Sequence, residues 1–419
     1  MSRVYSLASP LTYQTLLERL ERYGKESGAL RFYRTPNPES RYRVLAKDNI
    51  GVAPWPTSAG SHALIDLHVP DAAVVKRLRS HGCDVFGKTH LTELAGFVTV
   101  NALQMGYSQL GGQGRNPHGD FPTSGSSVGS AVAVAVGLCD AALGTETRGS
   151  LMCPALRNGI WAYKPTLGRY SRDGIIPLSR HFDTPGWMAR DIDTIVELDR
   201  LTQWCDPNDS ACVAYANTDV VLKTAPIRRL GILLNPALTQ DQALRFNRWV
   251  ESACRLGFET LFVPCPTTDF DYHYLVGEAF LQDMSAFLAH HAAAGQPHSA
   301  TELIERYRNN PLSRPYGMER LENALCQPHL LPEELDARAN DARQLARDTI
   351  ASICSNYDVE ALVTPTYLDW WAIGGAPSVA VPIDFLSTGE PTGVMIGTRE
   401  HDDERLLELA QSLASIARR

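Results

Sequence analysis

The sequence predicts an α/β fold: a single large domain, residues 1–419, with a central mixed, twisted sheet flanked by helices. Three observations predict it. Helical periodicity and short apolar strand-like runs alternate along the chain, the pattern of a parallel or mixed sheet. No internal repeat and no low-complexity linker divides the 419 residues. The composition, 44% apolar and 21% charged, is that of a globular protein with a sizeable core.

The elements follow in order. Apolar residues at helical spacing predict helices over 10–23, 70–81, 190–203, 241–255, 271–291, 332–354 and 402–418. Short apolar runs predict strands at 43–47, 83–87, 140–144, 228–234, 258–263, 360–364 and 378–383. The stretch 270–355 is nearly all helical and reads as a cap on the core. Residues 25–42 and 101–125 read as long loops, and loops of that length in a compact fold are often functional.

Charge and composition exclude several classes. With 39 Lys and Arg against 47 Asp and Glu, the net charge is −8, so no basic surface for nucleic acid is expected. The longest apolar run, 131–138, is far too short to span a membrane. The N-terminal residues lack the apolar core of a signal peptide. Nine scattered cysteines without a CxxC pair read as reduced thiols of a cytoplasmic protein, neither disulfides nor a metal site. A monomer or homodimer is expected.

One motif is a decoy. Residues 82–89, GCDVFGKT, match the phosphate-loop pattern GxxxxGK[ST]. A phosphate loop is entered from a strand and leaves into a helix. Here a helix enters, Gly82 stands where a helix-terminating glycine belongs, and Asp84 would repel phosphate.

The stretch TSGSSVGSAVAVAVG, 123–137, carries the chemistry. Its right half is apolar on every face, which suits a buried helix. Its left half therefore lies at a helix N-terminus, with free N–H groups and the positive dipole end. The commonest task of serine there is to cap the helix. After the helix, CDAALG reads as a strand running back. Eleven helical residues rise roughly 16 Å and six strand residues roughly 20 Å. GTETRGS, 144–150, should thus return close to Ser126, at the end of the sheet where α/β proteins bind ligands. A serine hydroxyl needs a base to become a nucleophile. His62, His68, His81, His90, His118 and His181 read as surface or structural residues. Lys47, at the end of the apolar run RVLAK, is an odd place for a solvated ammonium and is the other base available.

These motifs together resemble the amidase signature family, the Ser–cis-Ser–Lys amide hydrolases. The matching pieces are AKDNIGVAPWPTSAGS (46–61), DAAVVKRLRSHGCDVFGKTHLTEL (71–94), GGQGRNP (111–117), SGSSVGSAVAVA (124–135), LGTETRGSLMCPA (143–155) and YKPTLGRYSRDGIIPLSRHFDTPGWMAR (163–190). LVTPT (362–366) and GGAPSVAVPI (374–383) match more loosely, and residues 44–200 hold the core motifs. GTETRGS with CPA and SRDGIIP is most similar to the peptide amidase subgroup. The resemblance implies catalytic Lys47, Ser126 in a cis peptide, and nucleophilic Ser150. It also implies an oxyanion hole from the N–H groups of Thr147, Arg148, Gly149 and Ser150. Gly125 and Arg148, which flank the two serines, are expected near the substrate. No metal or organic cofactor is implied. The substrate would be a small-molecule or short peptide amide. Acyl transfer to an amine, or service as an amidotransferase-type component of a larger complex, are the alternative outcomes of the same chemistry.

Three departures from the family pattern stand out. Arg148 replaces a small or acidic turn residue and should either pair with Glu146 or face an anionic substrate group. Val128 replaces a glycine or serine and should narrow local space. Only 46 residues precede Lys47 and 367–373 is short, so some walls of the substrate channel should be missing. The channel is expected between 101–122, 180–190 and 270–330, where Tyr107, Phe121, Trp187, Tyr272, Tyr274 and Trp370 could line it or pack in the core.

Overall fold

The computed structural model describes residues 11–218, 225–234 and 237–418. The start of the predicted helix 10–23, and the first ten residues read for a signal peptide, lie outside the described residues. The N-terminal half holds strands β1 (Leu30–Tyr33), β2 (Arg43–Lys47), β3 (Asp84–Thr89), β4 (Tyr107–Ser108), β5 (Gly112–Gln113), β6 (Ala141–Glu146), β7 (Trp161–Lys164) and β8 (Thr184–Ala189). The C-terminal half holds β9 (Arg229–Leu233), β10 (Glu259–Val263), β11 (Ala361–Thr364), β12 (Ser378–Phe385) and β13 (Pro391–Gly397).

Eleven of these strands form one mixed sheet in the order β1-β3-β2-β6-β8-β7-β12-β13-β11-β9-β10, and β4 and β5 form a small separate ribbon. Parallel pairing joins β2 to β3 and β6, and β9 to β10 and β11. The middle of the sheet, β6-β8-β7-β12-β13, is antiparallel.

Strand alternation sends side chains to two faces. Leu45, Ala142, Ala162, Met188 and Ala380 pack on one face with the helix Val128–Val136. Val44, Ala46, Leu143, Tyr163, Trp187 and Val379 pack on the other, beneath the helices Ala73–Ser80, Ile192–Thr202, Gln240–Arg255 and Asp403–Leu413. The stretch 270–355 contains the helices Tyr272–His291, Ala300–Asn309 and Glu319–Cys326 and most of Pro332–Asn356, and these pack on the first face.

Several expectations are corrected. Leu30–Tyr33, expected in a loop, is an edge strand paired with β3. The strands β7, β8 and β13 are absent from the sequence-based expectation. In β8, TPGWMA carries a proline and a glycine, which argue against a central strand. The fold uses both. Pro185 lies opposite Thr145, and Gly186 lies where a Cβ would sit 2.3 Å from the Tyr163 carbonyl oxygen. The stretch GCDVFGKT behaves as the decoy reading expects. A helix ends at Ser80, Gly82 has φ +76°, and residues 84–89 form β3.

Candidate active site

The site lies at the carboxyl ends of the parallel neighbours β2 and β6. Leu45 faces the helix 128–136 and Ala46 faces away, so the alternation turns Lys47 toward that helix. Lys47 is wholly buried. Its Nζ donates to Ser126 Oγ at 2.8 Å, to Thr145 Oγ1 at 2.9 Å and to the Thr145 carbonyl at 3.1 Å. Asn49 Nδ2 donates to the same Thr145 hydroxyl at 3.1 Å. No carboxylate pairs with Lys47 among the described residues. Burial drives its pKa down to about 7, against a weaker upward pull from Asp183 and Glu146.

Ser126 follows a cis Gly125–Ser126 peptide and is almost fully buried. Gly125 permits this approach, because an added Cβ would lie 2.3 Å from Thr92 Oγ1. The capping reading of the serine cluster is not what the hydroxyls do. Ser127 stands at the N-cap position, yet its side chain caps no helix N–H. Instead Ser127 Oγ donates to the Thr145 carbonyl at 3.1 Å and accepts from Thr145 N–H at 3.3 Å. Ser130 Oγ donates to the Leu143 carbonyl at 3.0 Å. These bonds stitch the helix start to β6.

The turn after β6 brings Ser150 back to the same place. Ser127 N–H donates to the Ser150 carbonyl at 3.1 Å, tying the two serine segments together. Ser150 is 8% exposed and lines a cavity of about 240 Å³ with Gly125, Thr147, Arg148, Tyr272 and Arg320. Gly149 has φ +79°, and an added Cβ there would meet Cys153 Sγ at 2.9 Å. Among the described residues, the N–H groups of Thr147, Arg148, Gly149 and Ser150 donate to no protein acceptor outside regular ladders. Thr147 Oγ1 donates to half-buried Asp183 Oδ1 at 2.6 Å, and Leu178 and Ser179 N–H donate to Asp183 Oδ2. Burial raises the Asp183 carboxyl above its ordinary value.

The expected Arg148–Glu146 pair is absent. Glu146 is buried and accepts from Leu151 N–H at 2.7 Å and Met152 N–H at 3.0 Å, capping the next helix. Arg148 turns outward, where its Nε lies 3.3 Å from Asp369 Oδ2 and its guanidinium sits 4.7 Å over the Tyr272 ring. The short stretch 367–373 thus supplies a partner for Arg148 in Asp369. Val128 fills space beside Gly114, where an added Cβ would lie 2.6 Å from its methyl.

Of the six aromatic candidates, Tyr272 alone lines the Ser150 cavity. Trp187 and Trp370 are core residues, Tyr107 packs edge-on against Tyr316, and the Tyr274 hydroxyl donates to the Pro328 carbonyl. None of the six histidines named from sequence lines the cavity. His90 is buried between Ser108 and Gly106, with its pKa pushed down to about 4 by burial. The residues that sequence reading missed are Thr145, Asn49, Asp183, His273 and Arg320. Thr145 and Asn49 stand inside the motifs GTETRGS and KDN, and their polarity beside a buried lysine is the available signal.

Comparison with known proteins gives the family and the fold. A family model described as Amidase matches residues 43–372. A probable amidase of Arabidopsis thaliana is 30% identical over 385 residues, covering 88% of this chain and 75% of the relative. A glutamyl-tRNA(Gln) amidotransferase subunit of Sulfurimonas denitrificans is 29% identical over 404 residues, covering 88% of this chain and 88% of the relative. The solved peptide amidase of Stenotrophomonas maltophilia superposes with a TM-score of 0.86 at 28% identity, over 97% of this chain and 94% of that one. With most of its length matched by the family model and its fold shared with that enzyme, this chain belongs to the amidase family and is a hydrolase of amide C–N bonds.

Proposed function

We propose that this chain cleaves a carboxamide through an acyl-enzyme on Ser150, with Ser126 and Lys47 as its proton relay. The observation that carries the reading is Lys47: wholly buried, without a carboxylate partner among the described residues, 2.8 Å from Ser126 Oγ, and with a pKa of about 7. Such an amine is half neutral near neutral pH, where an effective general base must be.

Ser150 Oγ attacks the amide carbonyl carbon. Its proton passes to Ser126 Oγ as the Ser126 proton passes to Lys47 Nζ. The carbonyl oxygen becomes an oxyanion, received by N–H groups of Thr147, Arg148, Gly149 and Ser150; one such donor is worth about 3–4 kcal/mol in the transition state. Collapse breaks the C–N bond, and the proton returns from Lys47 through Ser126 to the leaving nitrogen. Water, deprotonated along the same path, then releases the acid. An amine in place of water would form a new amide.

Mass spectrometry after treatment with a fluorophosphonate tests the assignment. One adduct is expected, on the peptide carrying Ser150, and Ser150→Ala should fold yet lose adduct and turnover together. An adduct elsewhere, or full turnover by Ser150→Ala, overturns it. The likeness to a tRNA-dependent amidotransferase component, which runs along most of both chains, supports a second reading: a chain working inside a larger assembly. Turnover by the isolated chain separates the two, and the peptide amidase likeness favours the stand-alone enzyme.

A further inference from the structure

The cavity beside Ser150 carries an unbalanced charge. Arg148, His273 and Arg320 line it, and among the described residues no Asp or Glu does. Asp369 lies behind Arg148 and answers that one guanidinium. Two acids of the neighbouring segments are already engaged, buried Glu146 by Leu151 and Met152 N–H and half-buried Asp183 by Thr147, Leu178 and Ser179. Arg320 has no carboxylate partner among the described residues. Its side chain makes one long bond, Nη1 to the Gly96 carbonyl at 3.3 Å, and its Nε is shut from water with no acceptor. Burial, against an upward pull from Tyr272, and then the Arg148 guanidinium push the Arg320 pKa below its ordinary value. Burial, Arg320 and Arg148 lower His273 in the same way, which leaves it neutral.

A half-buried guanidinium held by one weak carbonyl bond is electrostatically unfinished. Its Nη1 is engaged and its Nε is shut off, so Nη2, which makes no hydrogen bond among the described residues, is the donor left to receive a carboxylate. We infer that the substrate of this enzyme is an amide bearing a carboxylate, which docks on Arg320 while its carboxamide reaches Ser150. The inference rests on Ser150 being the nucleophile. The cavity volume of about 240 Å³ suits a short molecule, such as the monoamide of a small dicarboxylic acid or an acidic peptide amide.

Three five-carbon amides test this: glutaric acid monoamide, pentanamide and 5-aminopentanamide. They are compared by kcat/KM and by how far each slows fluorophosphonate labelling of Ser150, a readout that needs no turnover. The expected order is carboxylate, neutral, ammonium, with the carboxylate compound favoured about 10- to 100-fold over the neutral one. In Arg320→Gln that ratio should fall toward one, Arg320→Lys should recover part of it, and Arg320→Glu should favour the ammonium compound. Far-UV circular dichroism checks that each variant is folded. A wild-type enzyme that prefers the neutral amide, or whose preference survives in Arg320→Gln, overturns the inference. So does intact Ser150 labelling that glutaric acid monoamide fails to slow, or that inorganic phosphate slows equally well. Loss of Ser150 labelling altogether would instead overturn the nucleophile assignment.

Discussion

Two lysines sit one strand apart in the same sheet, both wholly buried, and they are built for opposite purposes. Lys88 is on β3, paired in register with Ala46, the residue before Lys47. Its Nζ lies 2.9 Å from Asp48 Oδ1 and donates to Thr57 Oγ1 at 2.7 Å and to the Pro56 carbonyl at 2.9 Å. Among the described residues, Lys47 bonds to hydroxyls and a carbonyl only. Burial lowers the pKa of both, and at Lys88 Asp48 opposes it directly. At Lys88 a carboxylate favours the ammonium, whereas no carboxylate pairs with Lys47 among the described residues, so burial there is opposed only at a distance. In the proposed relay that difference lets Lys47 act as a base. Lys164, wholly buried, bonded to the Pro165 carbonyl and with its pKa pushed down to about 8, shows that a missing counterion does not by itself select the catalytic residue.

Exchanging each lysine for methionine breaks the comparison most directly. Lys47→Met should lower turnover at least about 1,000-fold, since it removes the relay's proton acceptor. It leaves no orphaned acid, so the melting temperature should hold or rise. A fall in melting temperature without loss of turnover would reverse the roles assigned here. Lys88→Met should do the opposite, taking from buried Asp48 its nearest cation, with Ser58 and Arg31 at 3.9 Å left to it, and costing about 3–5 kcal/mol in denaturant unfolding. An unchanged unfolding midpoint would show that the buried pair contributes no stability.

The same contrast predicts a stability slope with pH. Lys47 titrates at about 7 in the fold and near 10.5 when unfolded. The unfolded chain binds the extra proton between those values. Stability owed to the neutral amine is thus full above about pH 10.5 and lost as pH falls toward 7. Lys47→Met should flatten that part of the unfolding profile relative to wild type, and identical slopes would contradict the assignment. The smallest effect is expected from Thr145→Val. It removes an acceptor that favours the charged amine, so the acid limb of activity should move below pH 7, with turnover reduced roughly 3- to 10-fold. An acid limb moved upward would show that Thr145 does not act on the amine in this way.

How much of this is legible in the sequence depends on whether the signal is local. β2 can be read at its observed limits, Arg43–Lys47, because RVLAK is a short apolar run ending on a charge. The meeting of Ser126 with 144–150 follows from the lengths of one helix and one strand, although the helix has nine residues in place of eleven. The central strands β7 and β8 are invisible because their burial on both faces comes from distant neighbours, and β8 carries Pro185 and Gly186 where only its partners explain them. Arg148 shows the same limit. Glu146 is near in sequence but committed to the next helix, while Asp369, more than two hundred residues away, arrives by folding. Arg320 and His273 reach the cavity from the helical segment in the same non-local way.

The rate of Ser150 modification by a fluorophosphonate, followed against pH in wild type and in Lys47→Met, tests the central claim most directly. If an unpaired buried amine drives the relay, the wild-type rate climbs through an apparent pKa near 7 to a plateau, and the variant is slower by about a thousandfold with no such step. A rate that is flat between about pH 6 and 9, or that keeps its step without Lys47, would contradict it.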